Sequence, residues 1–397
     1  MSTVTNKDIP IAPLKVQVVD RLAENNGSIK PPTTPQPQES DDGITLIQYS
    51  DELEAIVGPS PKQSLLLSTA GSSNNPFFHE ACVYIPTHDE LYITSNLLQS
   101  TTTATYPTIL ISRIRLTRSS TGNGIAALEW AKLRPPHGID MPNGGVNYKD
   151  GILFCAQGSP SAGTGGLYYM PRNAPPKPVV TTFYGRDFNS VNDVVVSKRD
   201  GSIWFTDPCY GYEQGFRRNP ELPCQAYRFD VNTGEVRCVA DGFQMCNGIA
   251  FAPGEDVVYI TDTGVIKGDG GFDLRRPATI YAFDVVRPHL RSSIQDPPST
   301  LSSAQPYLTK KRVFAFAVQG VPDGIKCDTR GNVYAGCGDG IEVWNSDGCL
   351  LGRFVVPGGG GVANFCFGKE GEMFLCAEQR LWRVQLARET RGDLLDG

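Results

Sequence analysis

VNDVVVSKRDGSIWFTD, Val191 to Asp207, carries the pattern on which the architecture is built. It holds a β-branched apolar run, a polar turn with Gly, and a second run carrying an aromatic residue, which is the signature of a β-hairpin. The pattern recurs in HEACVYIPTHDELYITS from His79, PNGGVNYKDGILFCAQG from Pro142, CNGIAFAPGEDVVYITD from Cys246, PDGIKCDTRGNVYAGCG from Pro322 and ANFCFGKEGEMFLCAE from Ala363. The residues that open the six hairpins are Glu80, Asn143, Asn192, Asn247, Asp323 and Asn364. The aromatic of the second strand follows 10 residues later at the shortest (Asn364 to Phe374) and 12 at the longest (Asn192 to Trp204). Successive copies lie 41 (Asp323 to Asn364) to 76 (Asn247 to Asp323) residues apart, so each interval has room for two more strands.

This self-similarity predicts an all-β chain, a six-bladed β-propeller with four-stranded blades. Closing the ring requires the last blade to borrow a strand from the start of the chain, and QSLLLSTA, Gln63 to Ala70, is predicted to fill that place. Residues 1–44, with the Pro-rich and acidic KPPTTPQPQESDDG, read as an N-terminal extended arm, and residues 45–397 as the propeller domain. Lys267 to Ala278 and Arg287 to Pro306 read as loops over one face, and DELEAIVG from Asp51 is weakly helical.

Composition agrees. Gly (42) and Pro (30) are abundant without a collagen period, as many turns require. The balance of 36 Lys+Arg and 42 Asp+Glu gives a net charge of -6, which argues against a nucleic-acid or anionic-membrane partner. No apolar run reaches the ~18 residues of a membrane span. The first residues lack the apolar core and cleavage site of a secretory signal, so a cytoplasmic location is expected. The 11 cysteines are an odd number without a CxxC pair, and Cys82, Cys155, Cys327 and Cys376 fall inside apolar strands, as reduced buried thiols do. With four His in the chain, a His/Cys zinc site is not indicated.

In a propeller the innermost strands begin at the central channel, so the six opening residues converge on the axis. They read Glu, Asn, Asn, Asn, Asp, Asn, all oxygen-bearing and none cationic or apolar. Such a ring suits a hard divalent cation, Ca²⁺ above all. The competing reading is that Asn-Gly, Asn-Asp and Asp-Gly are turn formers, which leaves Glu80 unexplained.

These blocks resemble the senescence-marker-protein/gluconolactonase family of six-bladed propellers, through NSVNDVVVSKRDGSIWFTDPCYG (Asn189 to Gly211). PFFHEACVY, MPNGGVNYK, FYGRDFNSVND and VYAGCGDGIEVWN are similar to motifs of the fungal lactonohydrolases, which open aldonate lactones and D-pantoyl lactone. The resemblance runs from about Ser64 to Val384 and implies a calcium held by Glu80 in FHEA, Asn192 in VND, Asn247 in CNG and Asp323 in PDG. Two departures matter: Ser190 stands where animal members carry a sugar-contacting Arg, and Ala156-Gln157 where bacterial members often carry Glu-His.

The expected function is therefore Ca²⁺-dependent opening of a small lactone by water, with Glu80 and Asp323 as the catalytic carboxylates. Asp323 would orient or deprotonate the water, and Glu80 would act as a ligand. Asn143, His137, Arg186, Tyr210 and Asn364 are the candidate substrate contacts, and His79, by strand alternation, should point away from the metal. Asp207 and Asp262 end equivalent strands and read as turn acceptors; no GxSxG elbow supports a serine nucleophile. The alternatives are a phosphotriesterase using the same metal, a non-hydrolytic propeller templating a cyclisation of the hetero-Diels-Alder type, and a binding scaffold.

Overall fold

The structure is a computed structural model that describes residues 3–7, 9–19, 24–25, 28–29, 43–98, 106–120, 124–133, 138–268, 270–287 and 305–395. The six hairpins are the inner halves of six antiparallel sheets. Blade one runs Glu80–Ile85, Glu90–Thr94, Ile111–Arg118, Ile125–Leu133, and blade two Pro142–Tyr148, Gly151–Ala156, Gly166–Pro171, Lys177–Val180. Blade three begins at Val194–Val196, blade four at Cys246–Phe251, blade five at Ile325–Cys327 and blade six at Asn364–Phe367. Inner strands are near-continuous apolar runs because both faces are covered by neighbouring blades. Glu372–Ala377 is buried at every position, whereas the more peripheral Ile111–Arg118 alternates toward solvent.

Closure follows the expected route. Lys62–Ser68 pairs antiparallel with Arg380–Gln385, supplying the fourth strand of blade six from the N-terminal side. The helix Glu52–Val57 occupies the weakly helical stretch, burying Leu53, Ile56 and Val57 against blades five and six. Before residue 45 three described segments run along outer edges of three blades, while Glu24–Asn25 and Ser28–Ile29 pair with each other. Thr3–Lys7 pairs with Ile125–Leu133 of blade one, Ala12–Pro13 with Lys62–Ser68 of blade six, and Lys15–Val18 with Thr45–Gln48 on blade five. Of the two predicted loops, the first folds back on itself through an Ile266–Phe272 bridge. The second lies mostly outside the described residues. No helix among the described residues is long and apolar enough to cross a membrane.

The inner strands start at what we term the front face, and the second strands return to it. The back end of the axis is stoppered by the C-terminal segment: Gly392 bridges Asp328, Asp393 pairs with Lys198, and Leu394 and Leu395 pack between blades. What is left behind the stopper is a gap of about 30 Å³ lined by Cys82, Lys326 and Cys366 among others. A ligand for the axis therefore enters from the front.

Candidate functional site

The ring positions are brought together at the front end of the axis by contacts between successive blades. Thr94 Oγ1 donates to the Asn143 carbonyl (2.9 Å), Thr206 Oγ1 to that of Asn247 (2.5 Å), and Thr261 Oγ1 to that of Asp323 (2.9 Å). Each threonine thus fixes the opening residue of the next blade. Glycine after the opening residue allows the same closeness. A Cβ on Gly144 would lie 2.3 Å from the Asn192 carbonyl oxygen, and one on Gly248 2.4 Å from that of Asp323. Neither glycine has a positive φ. The Asn-Gly pairs of blades two and four are close-approach sites between blades, not turns.

Asp207 and Asp262, at the ends of equivalent second strands, accept backbone N–H groups from the segments that lead into the ring. Asp207 takes Asn189 N (2.9 Å) and Ser190 N (2.7 Å), while Asp262 takes Gln244 N and Met245 N (2.9 Å each). Burial pushes the Asp207 carboxyl up to about 7. Behind the ring, Asp193 accepts Ile249 N (3.1 Å) and faces Lys326 Nζ at 3.8 Å, so one carboxylate ties blades three, four and five together.

The six opening side chains divide into two groups. Asn364 donates Nδ2 to Glu80 Oε2 (2.7 Å), and its Oδ1 accepts Phe365 N (2.8 Å). Asn143 is likewise committed, its Oδ1 to Gln157 Nε2 (3.5 Å) and its Nδ2 to the Asn192 carbonyl (3.4 Å). By contrast, Asn192 Oδ1, Asn247 Oδ1 and Asp323 Oδ1 are buried without a hydrogen-bond partner. Three unpartnered buried oxygens at equivalent positions in blades three, four and five, beside the carboxyl of Glu80, are costly unless something else satisfies them.

The electrostatics carry the same message. Glu80 is buried, and burial raises its carboxyl. Burial, and then the neighbouring Glu80 carboxyl, hold that of Asp323 well above the usual carboxylate range. Two carboxyls brought together in a largely buried site resist joint ionisation unless a cation compensates them. Among the described residues no group of three His, Cys, Asp or Glu could hold a metal. The donors on offer are two carboxylates and two amide carbonyls, the all-oxygen set that Ca²⁺ takes and thiophilic metals do not.

Tyr210 stands behind Asn247. It opens the short helix Tyr210–Glu213, and its hydroxyl accepts Asn247 Nδ2 (3.3 Å) and bonds Thr263 Oγ1, so the amide nitrogen is occupied while Asn247 Oδ1 stays unpartnered. Arg186 is not brought to the ring. It is exposed in the hairpin Thr182–Phe183/Arg186–Asp187, which leans on the outer part of blade three through Phe183 and Tyr227. The arginine that does reach the front loops is Arg217, bound to the carbonyls of Ser159 (2.5 Å), Phe188 and Asn189 (2.8 Å). His137 lies outside the described residues.

His79 turns its Nδ1 to Glu378 Oε1 (2.6 Å) across the junction of blades one and six. Burial works against its charge, but the Glu378 carboxylate prevails and raises it to about 9. The Glu378 carboxylate that holds Nδ1 favours the imidazolium form of His79. Glu378 escapes a sequence reading because it follows the last inner hairpin and meets its partner 299 residues away in the chain.

Two clefts among the described residues lie away from the ring. One of about 620 Å³ lies between blades one and two around Tyr92, Arg113 and Arg172, and one of about 470 Å³ on the back face around Tyr84, Arg118 and Glu372. Neither is lined by an opening residue. A front-face cleft of about 190 Å³, walled by Ile109, Ile139, Met141 and Phe216, is likewise not lined by an opening residue, but at Met141 it comes close in the chain to Asn143. The Met141 carbonyl accepts Gln157 N (3.0 Å), and Gln157 bonds Asn143.

Residues 143–267 match the family described as SMP-30/Gluconolactonase/LRE-like region. Over 360 residues the chain is 29% identical to the lactonohydrolase oryL of Aspergillus oryzae, covering 85% of this chain and 73% of that one. It is 27% identical over 221 residues to a gluconolactonase of Zymomonas mobilis, covering 52% and 53% of the two chains. Among solved structures, a gluconolactonase of Xanthomonas campestris superposes with a TM-score of 0.62 at 22% identity, over 87% of this chain and 95% of that one. A calcium-binding regucalcin of Agrobacterium tumefaciens does so with 0.52 at 15% identity, over 81% and 93%. These superpositions show that the propeller fold is shared.

Proposed function

We propose that this chain is a lactone hydrolase that works with a divalent cation, Ca²⁺, held by Glu80, Asn192, Asn247 and Asp323 at the front end of the axis. The observation that carries the reading is the division of the ring. Asn143 and Asn364 spend their side chains on the protein, while Asn192, Asn247 and Asp323 keep buried oxygens unspent. The similarity to proteins named lactonohydrolase and gluconolactonase supports the reaction class.

A cation bound there supplies Lewis-acid polarisation of the lactone carbonyl and stabilises charge on its oxygen. The protein's own groups do the rest. Asp323, the one ring side chain that is not fully buried, is reached from the front and holds the water. As the water oxygen adds to the carbonyl carbon, Asp323 takes a proton; the ring C–O bond then breaks and the proton passes to the departing alkoxide. Asn364 keeps Glu80 oriented, and Tyr210 keeps Asn247 oriented, so neither oxygen turns away during the reaction. The front-face cleft at Met141 has room for the substituent of a small lactone rather than for a polymer.

The test is hydrolysis of D-pantoyl lactone, an aldonolactone and an aromatic lactone by the full chain, before and after EDTA and then with added Ca²⁺. Turnover of at least one lactone, lost with EDTA and restored by Ca²⁺, is expected. Turnover that EDTA leaves untouched removes the metal from the reading, and a panel with no turnover by Ca²⁺-loaded protein removes the reaction.

A further inference from the structure

Blade three carries a feature that the hydrolytic chemistry does not use. Between its second and third strands, Ile203–Asp207 and Gln225–Phe229, the chain makes a long front-face excursion whose two ends are cysteines, Cys209 and Cys224. The strand register pairs Asp207 with Gln225, which sets the two cysteines side by side at the open end of the hairpin. Their sulfurs are 3.4 Å apart, with the Cys224 thiol donating to the Cys209 sulfur, and both residues are partly exposed.

We propose that Cys209 and Cys224 are a redox modification site, forming an intrachain disulfide that clamps the 209–224 excursion over the front of the axis. The excursion holds Tyr210, whose hydroxyl aligns Asn247, and Arg217, which binds three carbonyls of the neighbouring front loops. Its first turn is tied to blade three by Gly211 N donating to Ser190 Oγ (2.8 Å). A covalent link at its base restricts the segment that orients a ring residue.

Access singles out this pair. Cys82 and Cys366 are also close, at 3.5 Å, but both are buried on the axis, where an oxidant cannot approach. The hydrogen bond from Cys224 keeps the Cys224 proton in place and raises its thiol, so Cys209 is the sulfur that attacks first. The oxidant is a low-molecular-weight disulfide such as oxidised glutathione. The Cys209 thiolate attacks one of its sulfurs and expels a thiolate. Cys224, losing its proton to solvent, then attacks the Cys209 sulfur and expels the glutathione thiolate still bound there. Two protein thiols are oxidised as one disulfide is reduced to two thiols. The sulfurs must close to about 2.05 Å, which side-chain rotation at a partly exposed hairpin end allows.

The full chain is equilibrated in buffers of increasing oxidised-to-reduced glutathione ratio, free thiols are alkylated under native conditions, and the peptides are mapped. The expected result is a Cys209–Cys224 linked peptide while Cys82 and Cys366 remain thiols. The melting temperature should rise by several degrees on oxidation of the native chain and stay unchanged in Cys209→Ser. Alkylation of both cysteines in a buffer that fully oxidises a reference dithiol overturns the proposal, as does pairing of either one with another cysteine. A linked peptide without a rise in melting temperature overturns the clamp. The peptide map of the native chain stands alone if Cys209→Ser does not fold.

Discussion

Asp323→Asn is expected to lower kcat/KM for a hydrolysed lactone by roughly 10²–10³-fold, the size of effect seen when one preorganised charge-stabilising group is lost. The substitution keeps the shape and one carbonyl oxygen but removes both the charge that draws a cation and the base that takes the proton of water. The fold should survive it. Asp323 is held in place by its main chain, whose carbonyl accepts Thr261 Oγ1 (2.9 Å) and whose N–H donates to Gly336 O (2.8 Å), and the substitution touches neither bond. Burial and the Glu80 carboxyl both disfavour the ionised Asp323 side chain. In the absence of divalent cation the variant should therefore melt no lower than the native chain. Activity assays paired with calorimetry on EDTA-treated protein check both halves. A variant with full activity, or one inactive because it is unfolded, would contradict the assignment.

Gly248→Ala should cost about as much without removing any functional group. A Cβ at 248 meets the Asp323 carbonyl at 2.4 Å and Ile325 N at 2.9 Å, backbone atoms of the next blade that cannot step aside singly. Relief requires blades four and five to part, which carries Asp323 away from Glu80 and loosens the Thr261 hydrogen bond. A shift of about 1 Å in a positioned group can lower turnover about 10²-fold. Stability should also fall by about 1–3 kcal/mol, the usual range for forced overpacking. Denaturant titration and steady-state kinetics on the same preparation measure the two effects. Glycine chosen only as a turn former would predict a mild phenotype, since φ at 248 is not in the left-handed region.

Much of this architecture is legible in the chain because a propeller repeats its local physics. Each inner strand is buried on both faces and each second strand carries an aromatic, so Trp204, Tyr259 and Tyr334 mark equivalent places; the apolar run around Leu66 and Leu67 marks the strand that closes the ring. The opening residues were legible for the same reason, since six equivalent positions must meet on one axis. What could not be read are the relations between blades. Thr94, Thr206 and Thr261 look like ordinary strand residues until their hydroxyls are seen to hold the next blade. Lys326 looks like an interruption of an apolar run, yet it is the buried partner facing Asp193. The repeat alone ranks Asn143 and Asn364 equal to Asn192 and Asn247, and only the family resemblance separates them in the sequence. The hydrogen bonds to Gln157 and Glu80 supply the physical distinction. Arg186 shortly precedes the Asn192 segment in the chain, but the hairpin it belongs to carries it outward.

If four axial oxygens form a cation site, calcium titration calorimetry on the EDTA-stripped protein yields one Ca²⁺ per chain, with a gain in stability of about 2.7 kcal/mol at a hundredfold excess over Kd. The folded double variant Glu80→Gln/Asp323→Asn should lose this binding. Absence of binding by the native chain at millimolar Ca²⁺, or equal binding by the double variant, would contradict the cation site.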